Sequence, residues 1–326
     1  MRLLFAGDAM LGRLVNRRLK AKPPEYPWGD TLQVFREADA RVCNLECVIS
    51  DRGEPWSATP KMFHFRSDKK NIACLKAAGM DAVTLANNHA LDFGYEAVFE
   101  MFALLDSAGI ARAGAGRDLE EAGRAAIFRA GGLTLSLISF TDNEPAWEAG
   151  DDRPGVFFLP VDEKDARAKR LFSGVKAAKK GSDIVIVSAH WGPNWGYSPV
   201  PGHIPFAHVL IESGADIVFG HSCHVFQGIE IYKGRPVIYS AGNFVDDYAV
   251  DEIERNDESF IFIVETEGDR ITGMSLRPTV ITDFQARLAA TPRAGLIASR
   301  METLCGEFRT RTRWDAEKGR LEISVI

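Results

Sequence analysis

Six apolar runs in this chain each end in a side chain able to bind a metal ion or a phosphate. RLLFAG leads to Asp8, ARVCN to Glu46, and DAVTLA to Asn87, Asn88 and His89. IVIVSA leads to His190, DIVFG to His221 with His224 close behind, and PVIYSAG to Asn243. Short apolar runs of this kind read as β-strands, and ligands of open α/β sheets gather beyond the carboxyl ends of the strands. Six such ends point to one shared site. Carboxylate, amide and imidazole donors together suit Mn2+, Zn2+ or Fe2+ and need no thiolate. Two such cations about 3.5–4 Å apart clamp a phosphoryl or carbonyl oxygen and activate water.

Taken one at a time, the candidates also have plainer readings. Asp8 precedes a helix and fits an N-cap, and Glu46 fits a solvated loop charge. Asn87 is the better holder of a turn, through its tolerance of the left-handed region, which leaves Asn88 for a ligand. His89 and His190 fit packed histidines. His221 and His224, in a Gly-Ser-Cys setting, read as metal-binding. His208 lies inside a helical stretch, Ile204 to Glu212, and reads as a supporting group; His203 is a weaker candidate as well. His64, in MFHFR beside Arg66, faces substrate or packs on an edge strand. Arg13, one turn past Asp8, reaches an anionic substrate or stays a solvated helix cation.

Strand and helix alternate through the first half, which favours a largely parallel sheet. Helical spacing runs through Leu11, Leu14, Val15 and Leu19, and Pro23-Pro24 ends it. Thr31 to Ala38 reads as a short helix. Ser67-Asp68 reads as the N-cap of a helix through Ile72, Leu75 and Ala78, and Tyr95 to Ala108 as a helix stopped by Gly109. Arg124–Ala130 and Leu133–Phe140 form a hairpin at Gly131-Gly132. Asp142 to Pro160 reads as a long polar loop of the kind that serves as a lid. Asp162 to Lys180 is a charged helix, and a second hairpin turns at Lys233-Gly234. The tail adds strands at Phe260–Thr266 and Thr272–Pro278, a helix capped at Thr291-Pro292, and a last strand, Leu321–Ile326. Tyr26, Trp28, Trp56, Trp195 and Tyr197 are candidates for a pocket wall.

The 326 residues are 46% hydrophobic and 26% charged, ordinary for one globular α/β domain, with a net charge of −6 that argues against a broad basic nucleic-acid surface. An anionic small molecule or peptide remains compatible, because bound cations neutralise it locally. The first apolar run stops at Gly7-Asp8, too short for a signal segment, and no later run has the length of a membrane span. Five cysteines without framework spacing read as free thiols in a reducing cytoplasm. Oligomeric state leaves no mark in the sequence.

The series GDAMLGR, NLE, ANNHALDFG, SAHWG, GHSCHVFQGIE and YSAGNF closely resembles the CapA family, named for bacterial poly-γ-glutamate capsule biosynthesis and similar to the calcineurin-like metallophosphoesterases. The resemblance runs in order from Met1 to about Asp247. It implies an α/β fold, a four-layer α/β/β/α sandwich of two mixed sheets, here a single domain over residues 1–326 with a two-metal site on the strand ends. Carried over, Asp8 is the first-strand ligand and Glu46 bridges both metals. Asn88, His190 and His221 hold the second metal, and His224 helps hold the first. His89 matches the histidine that protonates a leaving group, with Asp92 orienting it. Arg13, His64, Arg66 and Asn243 are the candidates for substrate contact. The wider phosphoesterases place a histidine where Met10 stands, use Asp at Glu46, and separate their terminal histidines by one residue rather than two. CapA-type sequences share the first two departures; Cys223 stands where Pro is common.

The resemblance implies a metal-dependent hydrolase, most simply a phosphoesterase. The same groups suit amide cleavage or proton transfer at a peptide α-carbon. A third reading is a non-catalytic partner in poly-γ-glutamate synthesis or export, with metals kept for structure.

Overall fold

The computed structural model describes residues 1–325 and contains two large mixed sheets. The first is ten-stranded. Its strands are β1 (Arg2–Ala9), β2 (Ala40–Leu45), β3 (Ala82–Thr84) and β4 (Ala111–Ala113), with β11 (Asn243–Val245), β12 (Glu258–Glu267), β13 (Arg270–Thr282), β14 (Gln285–Leu288), β15 (Thr312–Asp315) and β16 (Arg320–Ile323). Their order is β15-β16-β13-β12-β1-β2-β3-β4, with β11 paired to β1 and β14 to β13. The second sheet is six-stranded. It comprises β5 (Ala126–Ala130), β6 (Leu133–Thr141), β7 (Ile184–His190), β8 (Ile217–His221), β9 (Ile229–Tyr232) and β10 (Arg235–Ile238), in the order β9-β10-β8-β7-β6-β5.

The apolar runs explain the layering. β7 and β8 are buried along their whole length and β1 nearly so, as expected of parallel strands covered on both faces. Leu3, Phe5 and Val42 of the first sheet meet Leu137, Ile186 and Phe219 of the second in one core between the sheets. The outer face of the first sheet packs on α1 (Arg13–Leu19), α2 (Ile72–Ala77) and α3 (Gly94–Ala108). That of the second packs on α4 (Ala166–Lys179) and α5 (His203–Glu212). The result is the expected α/β/β/α sandwich. The tail helix α6 (Arg293–Glu307) adds Ile297, Met301 and Leu304 to the core between the sheets.

β1 changes partner partway along. Residues Arg2–Ala6 pair antiparallel with β12, whereas Asp8 and Ala9 pair parallel with β11. Gly7 sits at the change, and a Cβ there would lie 2.0 Å from the Gly242 carbonyl oxygen, so only glycine allows the two segments to approach. Gly220, just before His221, is equally confined, with the Tyr239 carbonyl 2.1 Å from a Cβ position.

Several local expectations need correction. The helix beginning at Arg13 has Gly12 at its N-cap, so Asp8 caps nothing. The helix expected over Thr31–Ala38 is one turn, Leu32–Phe35, after a 3-10 segment interrupted at Gly29. Ser67-Asp68 do not cap α2: a 3-10 turn, Lys69–Asn71, intervenes, and Asp68 instead accepts from Asn16 Nδ2 at 2.9 Å. The Asp142–Pro160 loop is packed rather than lid-like, with Trp147 buried and Gly155–Val156 paired to Ala115–Gly116. The last strand spans Arg320–Ile323, and Ile326 lies outside the described residues. Among the described residues no helix is long and apolar enough to cross a membrane.

Candidate metal centre

The sandwich brings the carboxyl ends of β1, β2, β3, β7 and β8 to one edge, and the side chains just past those ends meet there. The β7–β8 register sets His190 opposite His221. Ligand atoms of Asp8, His190 and His221 all lie within 4.8 Å of one another, and all three residues are buried. His190 Nδ1 is 2.8 Å from His221 Nδ1, and its Nε2 is 3.1 Å from Asn88 Oδ1. His221 Nδ1 lies 3.8 Å from Asp8 Oδ1, while its Nε2 is held by the Ser188 hydroxyl at 2.6 Å. Asn44, which sequence reasoning passed over, ties the ends together. It donates to Asp8 Oδ1 at 2.7 Å and accepts from Thr84 Oγ1 and Asn87 Nδ2. Asn87 in turn accepts the His89 backbone N–H, a turn-holding role.

Electrostatics favour a cation here. Asp8 Oδ2 and Glu46 Oε2 are buried with no hydrogen-bond partner. Burial pushes both carboxyls upward, and the Asp8 charge adds to the rise at Glu46. Burial also holds His190 well below the usual imidazole range and pushes His221 down to about 3. A carboxylate, Asp8, facing two imidazoles kept neutral is the donor set of a divalent cation. The residues present therefore fit such an ion. Met10 adds nothing to them, because its buried sulfur accepts the Gly12 N–H at 3.1 Å.

His89 stands apart from this cluster. Its Nδ1 is 2.6 Å from Asp92 Oδ2, its ring stacks on Phe65 at 3.8 Å, and its Nε2 is 4.0 Å from Glu46 Oε1. Burial lowers its pKa while Asp92 pulls the other way. Asp92 also accepts the Phe65 N–H. Lys61, only 6% exposed, lies 3.4 Å from Asp92 Oδ1 and 3.0 Å from Glu144 Oε1, and donates to the Asn88 carbonyl at 2.5 Å. Nothing near it in sequence marks that position, since Glu144 and Asp92 reach it only through the fold.

A cavity of about 570 Å3 opens over His89, Asn88 and His224, walled by Lys61, Phe65 and Tyr248 among others. His224 uses Nδ1 on Asn243 Oδ1 at 3.1 Å, which leaves Nε2 for a ligand. Arg13 lines the mouth, 3.3 Å from Asp247 and above the rings of Phe63 and Phe65. Arg13, Glu144 and Ser222 all hold positive φ, strain of the sort that gathers at functional sites. Three of the expected substrate contacts do not face this cavity. His64 bonds the Trp56 carbonyl at 3.0 Å, and Arg66 lies over Phe93 with its guanidinium on the Arg52 and Gly53 carbonyls. Asn243 is fully buried beneath His224. Of the aromatic candidates Trp195 lines the cavity, whereas Trp28 is core and Tyr26, Trp56 and Tyr197 pack elsewhere.

The family model described as "Bacterial capsule synthesis protein PGA_cap" matches residues 2–248. A protein of Mycobacterium tuberculosis named "Probable polyglutamine synthesis accessory protein" is 39% identical over 250 residues, 74% of this chain and 65% of that protein. The "PGA biosynthesis protein CapA" of Bacillus subtilis is 30% identical over 245 residues, 74% of this chain and 62% of that protein. The matches thus span less than two thirds of these relatives. A crystal structure of a hypothetical protein from Thermus thermophilus has the same fold, with a TM-score of 0.51 at 19% identity over 85% of this chain and 98% of that one.

Proposed function

The chain belongs to the bacterial capsule synthesis protein family PGA_cap, and from that premise we propose that it is a metal-dependent hydrolase, most simply a phosphoesterase with a two-cation site. The observation that carries this reading is the meeting of Asp8, which has an unpartnered oxygen, with neutral His190 and His221, and the buried Glu46 carboxyl beside Asp8. Asp8, Glu46 and His224 would hold one cation, with Glu46 shared. Asn88, His190 and His221 would hold the other. When bound, the cations supply Lewis acidity and lower the pKa of water.

The chain's own part is orientation and proton transfer. Asp92 occupies His89 Nδ1, so Nε2 is the nitrogen that gives a proton to a leaving oxygen. Phe65 fixes the ring plane and excludes water from one face. Arg13, exposed at the cavity mouth, offers positive charge that suits an anionic small molecule or peptide, whereas Lys61 is tied to Asp92 and Glu144. The five buried, unpaired thiols support the cytoplasm as its compartment.

A second reading, amide cleavage or proton transfer on a γ-glutamyl peptide, draws on the relatives named for polyglutamine synthesis and PGA biosynthesis. The test is a panel of aryl phosphate esters and γ-glutamyl amides with added Mn2+ or Zn2+, using Asp8→Ala as control. Phosphate-ester turnover inhibited by inorganic phosphate is expected. His89→Ala should retain metal by elemental analysis and lose about 10²–10⁴-fold in turnover. Equal trace activity in wild type and Asp8→Ala removes the phosphoesterase reading. Amide turnover, or solvent deuterium entering a substrate α-carbon, then establishes the second, and metal binding without either leaves a non-catalytic partner in capsule synthesis.

A further inference from the structure

Phe63 and Trp195 are the two most exposed aromatic side chains among the described residues, at 54% and 44%, and both line the cavity over His89 and His224. Met62, 84% exposed, lines it as well. Large apolar side chains left singly in water are ordinary, but several gathered at the rim of one pocket mark a binding surface.

Both aromatic rings are held in place. The Arg13 guanidinium lies 5.7 Å from the Phe63 ring, and Phe63 stacks on Phe65 with centroids 6.5 Å apart. Trp195 stands edge-on to His224 at 5.3 Å. Its loop is pinned on both sides: the His224 N–H donates to the Asn194 carbonyl at 2.8 Å, and Gln227 Nε2 donates to the Gly196 and Ser198 carbonyls at 2.8 and 3.2 Å. Surfaces fixed before a ligand arrives lose little freedom on binding it.

Their place relative to the chemistry gives them a role. Phe65 stacks on His89 at 3.8 Å and Phe63 on Phe65, so the rings run outward from the proton donor in the order His89, Phe65, Phe63. A group that takes its proton from His89 Nε2 departs across them. Resting on the hydrolase reading above, we propose that the substrate is a phosphate ester whose leaving group carries an aromatic ring. Phe63 receives that ring, and Trp195 is a second wall of the same mouth. In the reaction the oxygen of water bonds to phosphorus and the P–O bond to the aromatic group breaks. The departing oxygen takes the His89 Nε2 proton and leaves as a hydroxyl, and a proton from the water restores His89. An aromatic group is favoured over an alkyl one because ring pairs gain from offset and edge-on contact beyond the area they bury. The Arg13 guanidinium beside Phe63 adds the attraction of a cation for a ring face.

The test is calorimetric titration of Mn2+-loaded protein with three phosphonates that no hydrolase can cleave: benzylphosphonate, cyclohexylmethylphosphonate and ethylphosphonate. Benzylphosphonate should bind at least about tenfold more tightly than ethylphosphonate and several-fold more tightly than the cyclohexyl compound. Phe63→Ala should bring the benzyl and ethyl affinities together, and Trp195→Ala should narrow the gap. Equal affinities in wild type, no binding of any phosphonate, or a full benzyl preference in Phe63→Ala overturns the proposal. A cyclohexyl compound that binds as well as the benzyl one overturns it too, since the mouth then reads size alone. Should Phe63→Ala fail to fold, the three wild-type affinities decide. Ester turnover without a benzyl preference removes only this inference. A benzyl preference that Phe63→Ala abolishes, with no ester turned over, removes the hydrolase reading and keeps the aromatic site.

Discussion

Lys61→Met measures how far the site leans on one buried cation. Methionine keeps an apolar stem beside the Trp147 ring, over which the ammonium sits at 4.7 Å, and removes only the charge and its hydrogen bonds. Asp92, whose side chain is fully buried, then faces no ammonium while still holding His89 and the Phe65 N–H. Removing one partner of a buried pair costs about 3–5 kcal/mol. Glu144, a quarter exposed, rehydrates and adds little, so the low end of about 3 kcal/mol applies. At about 2.1 cal/mol/K per residue, a chain of 326 residues unfolds with an entropy of about 0.7 kcal/mol/K. The expected fall in Tm is therefore about 4–5 °C, measured by scanning calorimetry on chelator-treated protein at pH 7.5. Asp92→Asn added to Lys61→Met should recover part of the loss, since the orphaned charge is gone, with a coupling of about 1–3 kcal/mol. A Lys61→Met Tm within about 1 °C of wild type, or strict additivity in the double variant, refutes the reasoning.

Two further outcomes follow from the geometry. Gly7→Ala forces a methyl against the Gly242 carbonyl, 2.0 Å from its Cβ, so β1 and β11 must part; a loss of about 1–3 kcal/mol and weaker metal binding are expected in urea unfolding and metal titration, and wild-type values for both contradict the close-approach argument. His203, stacked on Trp191 at 4.4 Å, is pushed by burial from 6.5 down to about 4. Between those values the unfolded chain takes up a proton that the folded chain refuses. Its neutral burial therefore contributes fully above pH 6.5 and is lost as pH falls toward 4, in all about 3 kcal/mol. His203→Gln should flatten that acid-side slope of stability, and an unchanged slope over pH 4–6.5 in urea titrations counts against the assignment.

The strand ends were legible because fully buried parallel strands leave unbroken apolar runs, and a polar residue at the end of such a run stands out. Asp8, Glu46, Asn88, His190 and His221 came from that signal, and the structure gathers their strand ends at one edge. The MFHFR segment shows where the signal misleads. Along extended chain, successive side chains face opposite ways. Phe63 and Phe65 take the cavity side and Phe65 stacks on His89, which turns His64 and Arg66 outward. Polarity drew attention to the wrong face of that segment. Lys61 and Asn44 were missed because their meaning lies in partners distant along the chain, Glu144 for Lys61 and Asp8 for Asn44. Among the smaller elements, the strands Gln285–Leu288 and Thr312–Asp315 lie in mixed, half-exposed sequence whose pattern carries little periodicity.

The change of partner along β1 makes that strand a two-part reporter on local opening. Near its start Met1 accepts the Thr266 N–H, a bond that belongs to the tail segment. Near its end the Asp8 and Met10 N–H groups are tied to the Gly242 and Val245 carbonyls, bonds that belong to the segment beneath His224. Proteins open in cooperative units of differing stability, each visible as a class of exchanging amides. Protection of the Thr266 amide therefore follows fraying of the tail, while that of Asp8 and Met10 follows loosening around the metal ligands. Amides at the two ends of the β1 pairings, that of Thr266 on β12 and those of Asp8 and Met10, record the two events separately and without a substitution.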